Sequence, residues 1–209
     1  MKSDSIRILI VDDHPAMRAG LRALITSEAG MEVAAECGDG SVALDAYRVN
    51  QPDVVLMDLR MPILGGVEAT LAIRSEFPDA RIIVNTTYDG DEDIFRAIQS
   101  GAKSYLTKNM SKEEILGTIR HVYEGGTLLP SQVEERLRER LARPELTKRE
   151  LDVLDLLVKG RSNKEIADFL NLSEDAVKSR LKGLFLKLEV QDRTGAVVSA
   201  LRHGIIHLE

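Results

Sequence analysis

The stretch Ile6-Arg7-Ile8-Leu9-Ile10-Val11-Asp12-Asp13 decides the fold, because a short run of aliphatic residues ends abruptly in two acids. Such a run is typical of a strand that is covered on both faces, as the strands of a parallel sheet are. Four similar runs follow along the chain, at residues 32–37, 54–57, 82–84 and 104–106. The first part of the chain is therefore predicted to contain five buried strands.

Segments with helical periodicity alternate with these runs. The apolar positions that show helical spacing are Met17, Leu21, Leu24, Ile25, Ile94, Ala97, Ile98, Ile115, Ile119 and Val122. Ser111 and Glu114 form a capping box that predicts the start of the last of these helices. Five strands that alternate with five helices over about 120 residues predict a doubly wound α/β fold with a five-stranded parallel sheet, of the flavodoxin-like class.

Beyond residue 126 the pattern becomes helical throughout. Residues 132–143 are dense in charge and predict a helical linker that Pro144 stops. Capping boxes begin at Thr147 and Ser162, and Ser173 and Asp192 are further N-cap candidates. They predict an all-α domain of four helices. We therefore expect an α/β domain at 1–126, a charged helical linker at 127–145 and a helical domain at 146–209.

Two helices of this second domain are predicted to form a helix-turn-helix. The second helix ends before Asn171-Leu172, and the third begins after Ser173. A connection this short holds two consecutive helices in a tight pair.

Composition limits the classes of function. The chain has 209 residues, a length that suits two small domains. Hydrophobic residues make up 44% and charged residues 30% of it, which excludes a disordered chain and a disulfide scaffold. The net charge of −6 excludes a protein coated with positive charge. Residues 1–129 hold 13 basic and 20 acidic side chains and residues 130–209 hold 15 and 14, so any contact with nucleic acid must be local.

Cysteine usage and hydropathy bear on the compartment. Cys37 is the only cysteine, so an intramolecular disulfide is impossible, and a reducing, cytoplasmic compartment is expected. No apolar run approaches the roughly 18–20 residues that span a bilayer, so no membrane partner is expected.

The residues that directly follow the predicted strands have side chains that can bind a cation or a phosphoryl group. Asp12 and Asp13 follow the first strand, Asp58 the third, Thr86 the fourth, and Lys108 the fifth. Because ligands of a doubly wound sheet lie beyond the carboxyl ends of its strands, we expect these side chains to converge. Three carboxylates in one place repel one another without a cation, and Mg²⁺ suits such a site. The lysine and a threonine hydroxyl would then hold phosphoryl oxygens.

The same segments resemble the receiver domain of bacterial two-component response regulators. The motifs are Val11-Asp12-Asp13-His14, Leu56-Met57-Asp58-Leu59-Arg60-Met61-Pro62 and Tyr105-Leu106-Thr107-Lys108. The resemblance implies that Asp58 takes a phosphoryl group from the histidine of a sensor kinase. It also implies that Mg²⁺ is bound by Asp13, Asp58 and the backbone carbonyl of Arg60, with Asp12 orienting a water on the metal.

The resemblance further implies a switch. Thr86 would supply the switch hydroxyl, Tyr105 the switch aromatic ring, and Lys108 the cationic partner of the phosphoryl group. Asn85 departs from the pattern, since relatives usually have an apolar residue before the switch threonine. The loop Ile63-Leu64-Gly65-Gly66 departs as well, because relatives often have an acid before the last glycine.

The third predicted helix of the second domain offers a cationic surface. Val177, Leu181, Leu184 and Leu188 fall on one stripe at 100° per residue and predict its buried face. The residues placed away from that stripe or on its flank are Lys178, Ser179, Arg180, Lys182 and Lys187. Four cations and no acid in this segment favour a recognition helix in a major groove of double-stranded DNA. A solvated helix face is the alternative that the sequence leaves open.

The second domain resembles the LuxR-type helix-turn-helix, which makes the whole chain similar to a NarL/FixJ-like response regulator. The motifs are Leu146-Thr147-Lys148-Arg149-Glu150, Gly160-Arg161-Ser162-Asn163-Lys164-Glu165-Ile166-Ala167 and Ala176-Val177-Lys178. The resemblance implies that Lys178, Ser179 and Lys182 approach bases. It assigns phosphate contacts to Lys164, Arg180 and Lys187.

A homodimer of the activated protein is also implied, because residues 192–204 resemble the helix through which the family dimerises. Packing within the domain is the alternative interpretation of the apolar stripe on that helix.

Two other classes of function compete with a phosphorylation-controlled transcription regulator. The first is an aspartyl-phosphate phosphohydrolase, but Arg60 stands where a known phosphatase family has a second carboxylate as its general acid. The second is a regulator that acts through protein contacts without phosphorylation. We expect a regulator and not an enzyme.

Overall fold

The computed structural model describes residues 5–87 and 90–207. These residues form two compact units, of which the first contains a parallel sheet and the second is helical. The predicted domain boundaries at residues 126 and 146 stay predictions.

Five strands form the sheet of the described chain, in the order β2-β1-β3-β4-β5, and all neighbours are parallel. The strands are β1 (Ile6–Val11), β2 (Met31–Cys37), β3 (Val54–Met57), β4 (Ile82–Thr86) and β5 (Ser104–Thr107). The helices of this part are α1 (Pro15–Thr26), α2 (Ala43–Asn50), α3 (Gly66–Glu76), α4 (Asp91–Gln99) and α5 (Lys112–Tyr123). The doubly wound fold predicted from the sequence is confirmed.

Alternating residues of β1 enter two separate layers of core. Ile8 and Ile10 pack in a cluster that contains Ile25 of α1 and Ile119 of α5. Leu9 and Val11 pack in a second cluster, with residues of α2 and α3. Since successive side chains of a strand point to opposite faces, helices cover both faces of the sheet. The unbroken aliphatic run of β1 is the consequence.

β4 is two residues longer than the sequence predicts. Asn85 and Thr86 continue the strand, pairing with Leu106 and Thr107 of β5. Both polar residues are buried. Polar side chains are not typical of a buried strand, so the sequence pattern does not indicate one here. The backbone nevertheless forms hydrogen bonds with β5, and these extend the strand.

The remaining helices are α6 (Ser131–Ala142), α7 (Lys148–Val158), α8 (Asn163–Leu170), α9 (Glu174–Lys187) and α10 (Arg193–Arg202). The capping boxes at Thr147 and Ser162 are formed, and Ser173 and Asp192 accept hydrogen bonds as N-caps. The predicted four-helix domain is therefore confirmed in its elements.

The turn between α8 and α9 is as tight as the sequence predicts. Asn171 adopts a left-handed conformation with φ of 53°, and the N–H of Leu172 donates to the carbonyl of Ala167 at 2.8 Å. Asparagine tolerates this conformation better than most residues do. The chain thereby turns within residues 171–173, and this turn positions the start of α9.

Candidate functional site

Three acids meet where β1 and β3 end. Asp12 and Asp13 follow β1, and Asp58 follows β3 beside it. The N–H of Asp58 donates to the carbonyl of Val11 at 2.8 Å, which holds the two strand ends in register. One ligand atom from each of Asp12, Asp13, His14 and Asp58 lies within 4.8 Å of the others. The acids that follow β1 and β3 therefore converge beyond the carboxyl ends of these strands, as expected from the sequence.

Lys108 supplies the cation of this cluster. Its Nζ lies 2.8 Å from Asp58 Oδ2 and 2.7 Å from Asp12 Oδ2. The three side chains are each at most 5% exposed. Burial lowers the pKa of Lys108, but the hydrogen bonds to Asp12 and Asp58 outweigh it, so the pKa lies above the ordinary value. Lys108 is therefore a charged ammonium at neutral pH.

The donor set fits Mg²⁺. Three carboxylates and one ammonium leave a surplus of negative charge, which a divalent cation complements. Asp13 Oδ1 is buried at the edge of this cluster, with His14 Nδ1 at 2.7 Å. Oxygen donors are those that Mg²⁺ prefers, and it keeps several waters when few protein ligands are offered. Asp13 and Asp58 are the carboxylates that would hold it, and Asp12 would orient a water on it.

The loop after β3 is pinned against the site by a glycine. Gly66 begins α3, and its N–H donates to the carbonyl of Leu59 at 2.9 Å. A Cβ atom on Gly66 would overlap the backbone carbonyl oxygen of Asp58. Gly66 is thus required by the close approach of α3 to the phosphoacceptor candidate.

Replacing Gly66 with Ala is expected to lower the free energy of unfolding of the first domain by about 1–3 kcal/mol, since the clash is with backbone. Urea unfolding followed by tyrosine fluorescence measures it, because all four tyrosines precede residue 126 and the chain has no tryptophan. Gly117→Ala in α5 is the matched control, with nothing within 4 Å of its Cβ. The control should gain about 0.5–1 kcal/mol, and equal effects of both variants would contradict the proposed clash.

The other predicted receiver residues lie around the cluster. Thr86 ends β4, is fully buried, and its carbonyl accepts the N–H of Lys108 at 2.9 Å. Tyr105 of β5 is also fully buried. Arg60 is half-buried, two residues beyond Asp58. The structure brings Asp12, Asp13, Asp58 and Lys108 together. It places Thr86 at the end of β4, next to β5, the strand that Lys108 follows.

The stripe predicted for α9 is its buried face. Val177, Leu181, Leu184 and Leu188 are each at most 7% exposed and pack with residues of α7, α8 and α10. The residues predicted to approach bases, Lys178, Ser179 and Lys182, are exposed. The Lys178 ammonium lies 3.0 Å from Asp175 Oδ1, and both side chains are mostly in solvent. An exposed pair of this kind is held weakly, so Lys178 can turn to another anion.

The residues predicted to contact phosphates are placed differently from one another. Lys164 of α8 is exposed and Arg180 of α9 is half-buried. Lys187 instead binds within its own domain, with Nζ 2.7 Å from Glu150 Oε2 and 3.0 Å from the carbonyl of Glu145. It therefore ties the end of α9 to the start of α7.

Glu150 is a residue whose second role sequence reasoning missed. It closes the capping box of α7, as predicted, and also binds Lys187 of α9. Partial burial raises its pKa, but the hydrogen bonds from Lys187 and Thr147 outweigh that, and the pKa lies below the ordinary value. The carboxylate is therefore ionised at neutral pH and joins two helices.

His14 is the other residue that was passed over. It is the last residue of the first receiver motif, and its position directly after two acids is the sequence feature that indicates a place near them. In the structure its Nδ1 lies 2.7 Å from Asp13 Oδ1.

Comparison with protein families identifies both units. Residues 8–120 match the response regulator receiver domain, and residues 144–200 match the luxR family of bacterial regulatory proteins. The chain is a response regulator. It has a receiver domain followed by a LuxR-type DNA-binding domain, as the motifs predicted.

Relatives match over nearly the full length. The response regulator protein VraR of Staphylococcus epidermidis is 35% identical over 207 residues, which cover 97% of this chain and 99% of that protein. The uncharacterized transcriptional regulatory protein YxjL of Bacillus subtilis is 38% identical over 218 residues, covering 99% of this chain and all of that protein. These matches place both domains of this response regulator in one family with those proteins.

Solved structures of relatives share the fold. The response regulator ChrA of a heme-sensing two-component system is 34% identical, with a TM-score of 0.60 and coverage of 97% of this chain and 100% of that one. RcsB of Salmonella enterica serovar Typhimurium, bound to promoter DNA, has a TM-score of 0.72 over 96% of this chain and 99% of that one, at 22% identity. At that identity RcsB shows likeness of fold alone. Among the described residues of this chain, no helix is long and apolar enough to cross a bilayer.

Proposed function

We propose that phosphorylation of Asp58 by a sensor histidine kinase controls homodimerisation and sequence-specific binding of double-stranded DNA. The observation that supports this proposal most directly is the convergence of Asp12, Asp13 and Asp58 on Lys108. A carboxylate nucleophile, a cation-binding pair of acids and a buried ammonium are the parts that phosphoryl transfer to aspartate requires.

In the proposed reaction a carboxylate oxygen of Asp58 attacks phosphorus. The bond from phosphorus to the kinase histidine nitrogen breaks as the new bond to the Asp58 oxygen forms, giving an acyl phosphate. The Lys108 ammonium, already on Asp58 Oδ2, would pair with a phosphoryl oxygen. Mg²⁺, when bound by Asp13, Asp58 and the carbonyl of Arg60, neutralises charge on the phosphoryl group.

The charge added to Asp58 would then move the switch residues. The Thr86 hydroxyl would donate to a phosphoryl oxygen, and Lys108 would exchange a carboxylate partner for the new group. Because Thr86 of β4 and Tyr105 of β5 lie on neighbouring strands, a shift of one would be passed to the other. This couples the reaction to the surface around β4 and β5.

The proposed DNA interface is the exposed side of α9. Lys178, Ser179 and Lys182 would reach base edges in the major groove. Lys164 and Arg180 would contact phosphates, and Lys187 would do so only by sharing its ammonium with Glu150. The helix α10 would supply the dimer contact, which suits paired half-sites about one helical turn apart.

We further propose that the protein works in the cytoplasm as a regulator and not as an enzyme. Burial raises the pKa of the Cys37 thiol, an effect that outweighs the nearby Arg18, so the thiol is inert. A buried free thiol suits a reducing compartment. Arg60, in place of a second carboxylate, leaves the acyl phosphate without the general acid that a phosphohydrolase would use.

The affinity for DNA with and without beryllium fluoride, a phosphoryl mimic, tests the proposal. With Mg²⁺ and beryllium fluoride, the full-length protein is expected to bind its selected operator about 5- to 150-fold more tightly, as an allosteric coupling of typical size gives. Sedimentation under both conditions should show a shift from monomer to dimer. Equal affinity and an unchanged sedimentation coefficient would favour the regulator that acts without phosphorylation.

A further inference from the structure

Leu186 lies on the exposed side of α9, in line with residues that are proposed to read bases. Its side chain is 80% exposed. At 100° per residue it falls opposite the buried stripe of the helix, within about 40° of Ser179 and Lys182. Single exposed leucines are common on protein surfaces, and what distinguishes Leu186 is this position beside base-reading residues.

The spacing of the exposed face suits a helix that lies in a major groove. Positions i, i+3, i+4 and i+7 of this face are Ser179, Lys182, Gly183 and Leu186. Residues at this spacing lie along one side of a helix, and recognition helices use such sets to read successive bases. Seven residues rise about 10 Å along the axis, the length of about three base-pair steps. Leu186 is therefore placed to reach a base beyond the one that Ser179 approaches.

Gly183 leaves the surface open beside Leu186. Apart from its own helix backbone and chain neighbours, a Cβ atom there would meet only Glu150 Oε1, at 3.8 Å. Packing within the domain therefore does not require a glycine, which is an unfavourable residue inside a helix. An open hollow at this place is lined by residues that include Lys178, Lys182 and Leu186. A glycine in such a place lets a ligand approach the helix closely.

The chemistry of a leucine side chain selects one feature of the major groove. Leucine neither donates nor accepts a hydrogen bond, and the C5 methyl of thymine is the apolar group that base pairs present in this groove. Against the edge of a G·C pair, the same side chain would cover polar atoms without pairing them, which weakens binding. A leucine on the base-reading face therefore favours thymine.

We propose that Leu186 is a specificity-determining residue that packs against the C5 methyl group of a thymine in each operator half-site. The inference rests on the proposed function for the DNA-binding face of α9. It adds an apolar contact to a face whose other proposed readers are cationic or polar. Because leucine carries no charge, Leu186 contributes to the selection of sequence and not to the salt dependence of binding.

Removal of single methyl groups from the DNA tests the contact. An operator is selected from random DNA with the full-length protein in Mg²⁺ and beryllium fluoride, and is then resynthesised with deoxyuridine in place of each thymidine in turn. At one thymidine of each half-site, loss of the methyl group is expected to weaken binding by the wild type about threefold to tenfold. Leu186→Ala should bind the thymidine and deoxyuridine operators equally. Fluorescence anisotropy measures both affinities.

Two further variants complete the experiment. Leu71→Ala is the matched control, because Leu71 is a half-exposed leucine of α3 in the receiver domain, and it should keep the wild-type discrimination. Leu186→Lys should lose the discrimination as Leu186→Ala does. Its added charge should also steepen the slope of log affinity against log salt concentration by about one.

The outcomes separate the role of Leu186 from DNA binding itself. If the wild type binds its operator but no methyl group affects the affinity, the role of Leu186 is refuted and DNA binding by α9 stands. The same conclusion follows if Leu186→Ala keeps the wild-type discrimination. If no operator is enriched and salt does not weaken the association, the proposed DNA-binding function fails as well.

Discussion

Replacing Asp58 with Asn is expected to abolish labelling of the protein by acetyl phosphate in the presence of Mg²⁺. A carboxamide is a poor nucleophile and cannot form the acyl phosphate, so incorporation should fall at least about 100-fold, to background. The variant also removes one of the two carboxylates that hold Lys108. Phosphate incorporation, followed by mass spectrometry of the intact protein, measures the effect.

Asp79→Asn is the matched control for this experiment. Asp79 is an exposed acid of the same domain, outside the cluster at the strand ends, and its variant should label like the wild type. Tyrosine fluorescence of both variants establishes that the first domain is folded. Labelling of Asp58→Asn at the wild-type level would mean that another residue accepts the phosphoryl group.

Replacing Lys178 and Lys182 together with Ala is expected to remove most of the affinity for DNA. A side chain that reads a base edge contributes about 1–3 kcal/mol of discrimination, so each substitution should cost about 5- to 150-fold. Both side chains are exposed on α9, and neither belongs to the core of the domain. Fluorescence anisotropy with an operator fragment, repeated at several salt concentrations, measures the loss.

Lys159→Ala provides the control for removal of a positive charge. Lys159 follows α7 and pairs with Asp155 at 2.8 Å, and it is not among the residues proposed to contact DNA. Its variant should keep the affinity and the slope of affinity against salt concentration. An association that salt does not weaken, or that the double variant leaves intact, would point to a protein partner.

Much of the fold could be predicted, because its local signals agree with its tertiary contacts. β1 and β3 have the predicted bounds, since their aliphatic runs are buried in the two core layers. The helices with Ser or Thr caps start where the caps predict, because the capping hydrogen bonds are local in sequence. The end of β4 was missed because Asn85 and Thr86 are buried polar residues, which no periodicity can reveal.

The contacts within the sites also divide into those that the sequence could predict and those that it could not. The carboxyl ends of parallel strands share one edge, so Asp12, Asp58 and Lys108 could be brought together from the order of the strands alone. The pair of Lys187 with Glu150 could not, because 37 residues separate its members and only the packing of α9 on α7 makes them neighbours. The contact of Gly66 with Asp58 depends likewise on the path of a loop.

The double contact of Lys108 has a thermodynamic consequence. The resting receiver already contains its own counterion, and any cation that enters must share the carboxylates with it. A phosphoryl group on Asp58 offers the ammonium a new anion and so relieves that competition. Occupancy of the cation site and of the phosphoryl site should therefore be positively coupled, and by linkage each must strengthen the other by the same factor. The coupling predicts that the unphosphorylated protein binds cations more weakly than the phosphorylated protein does.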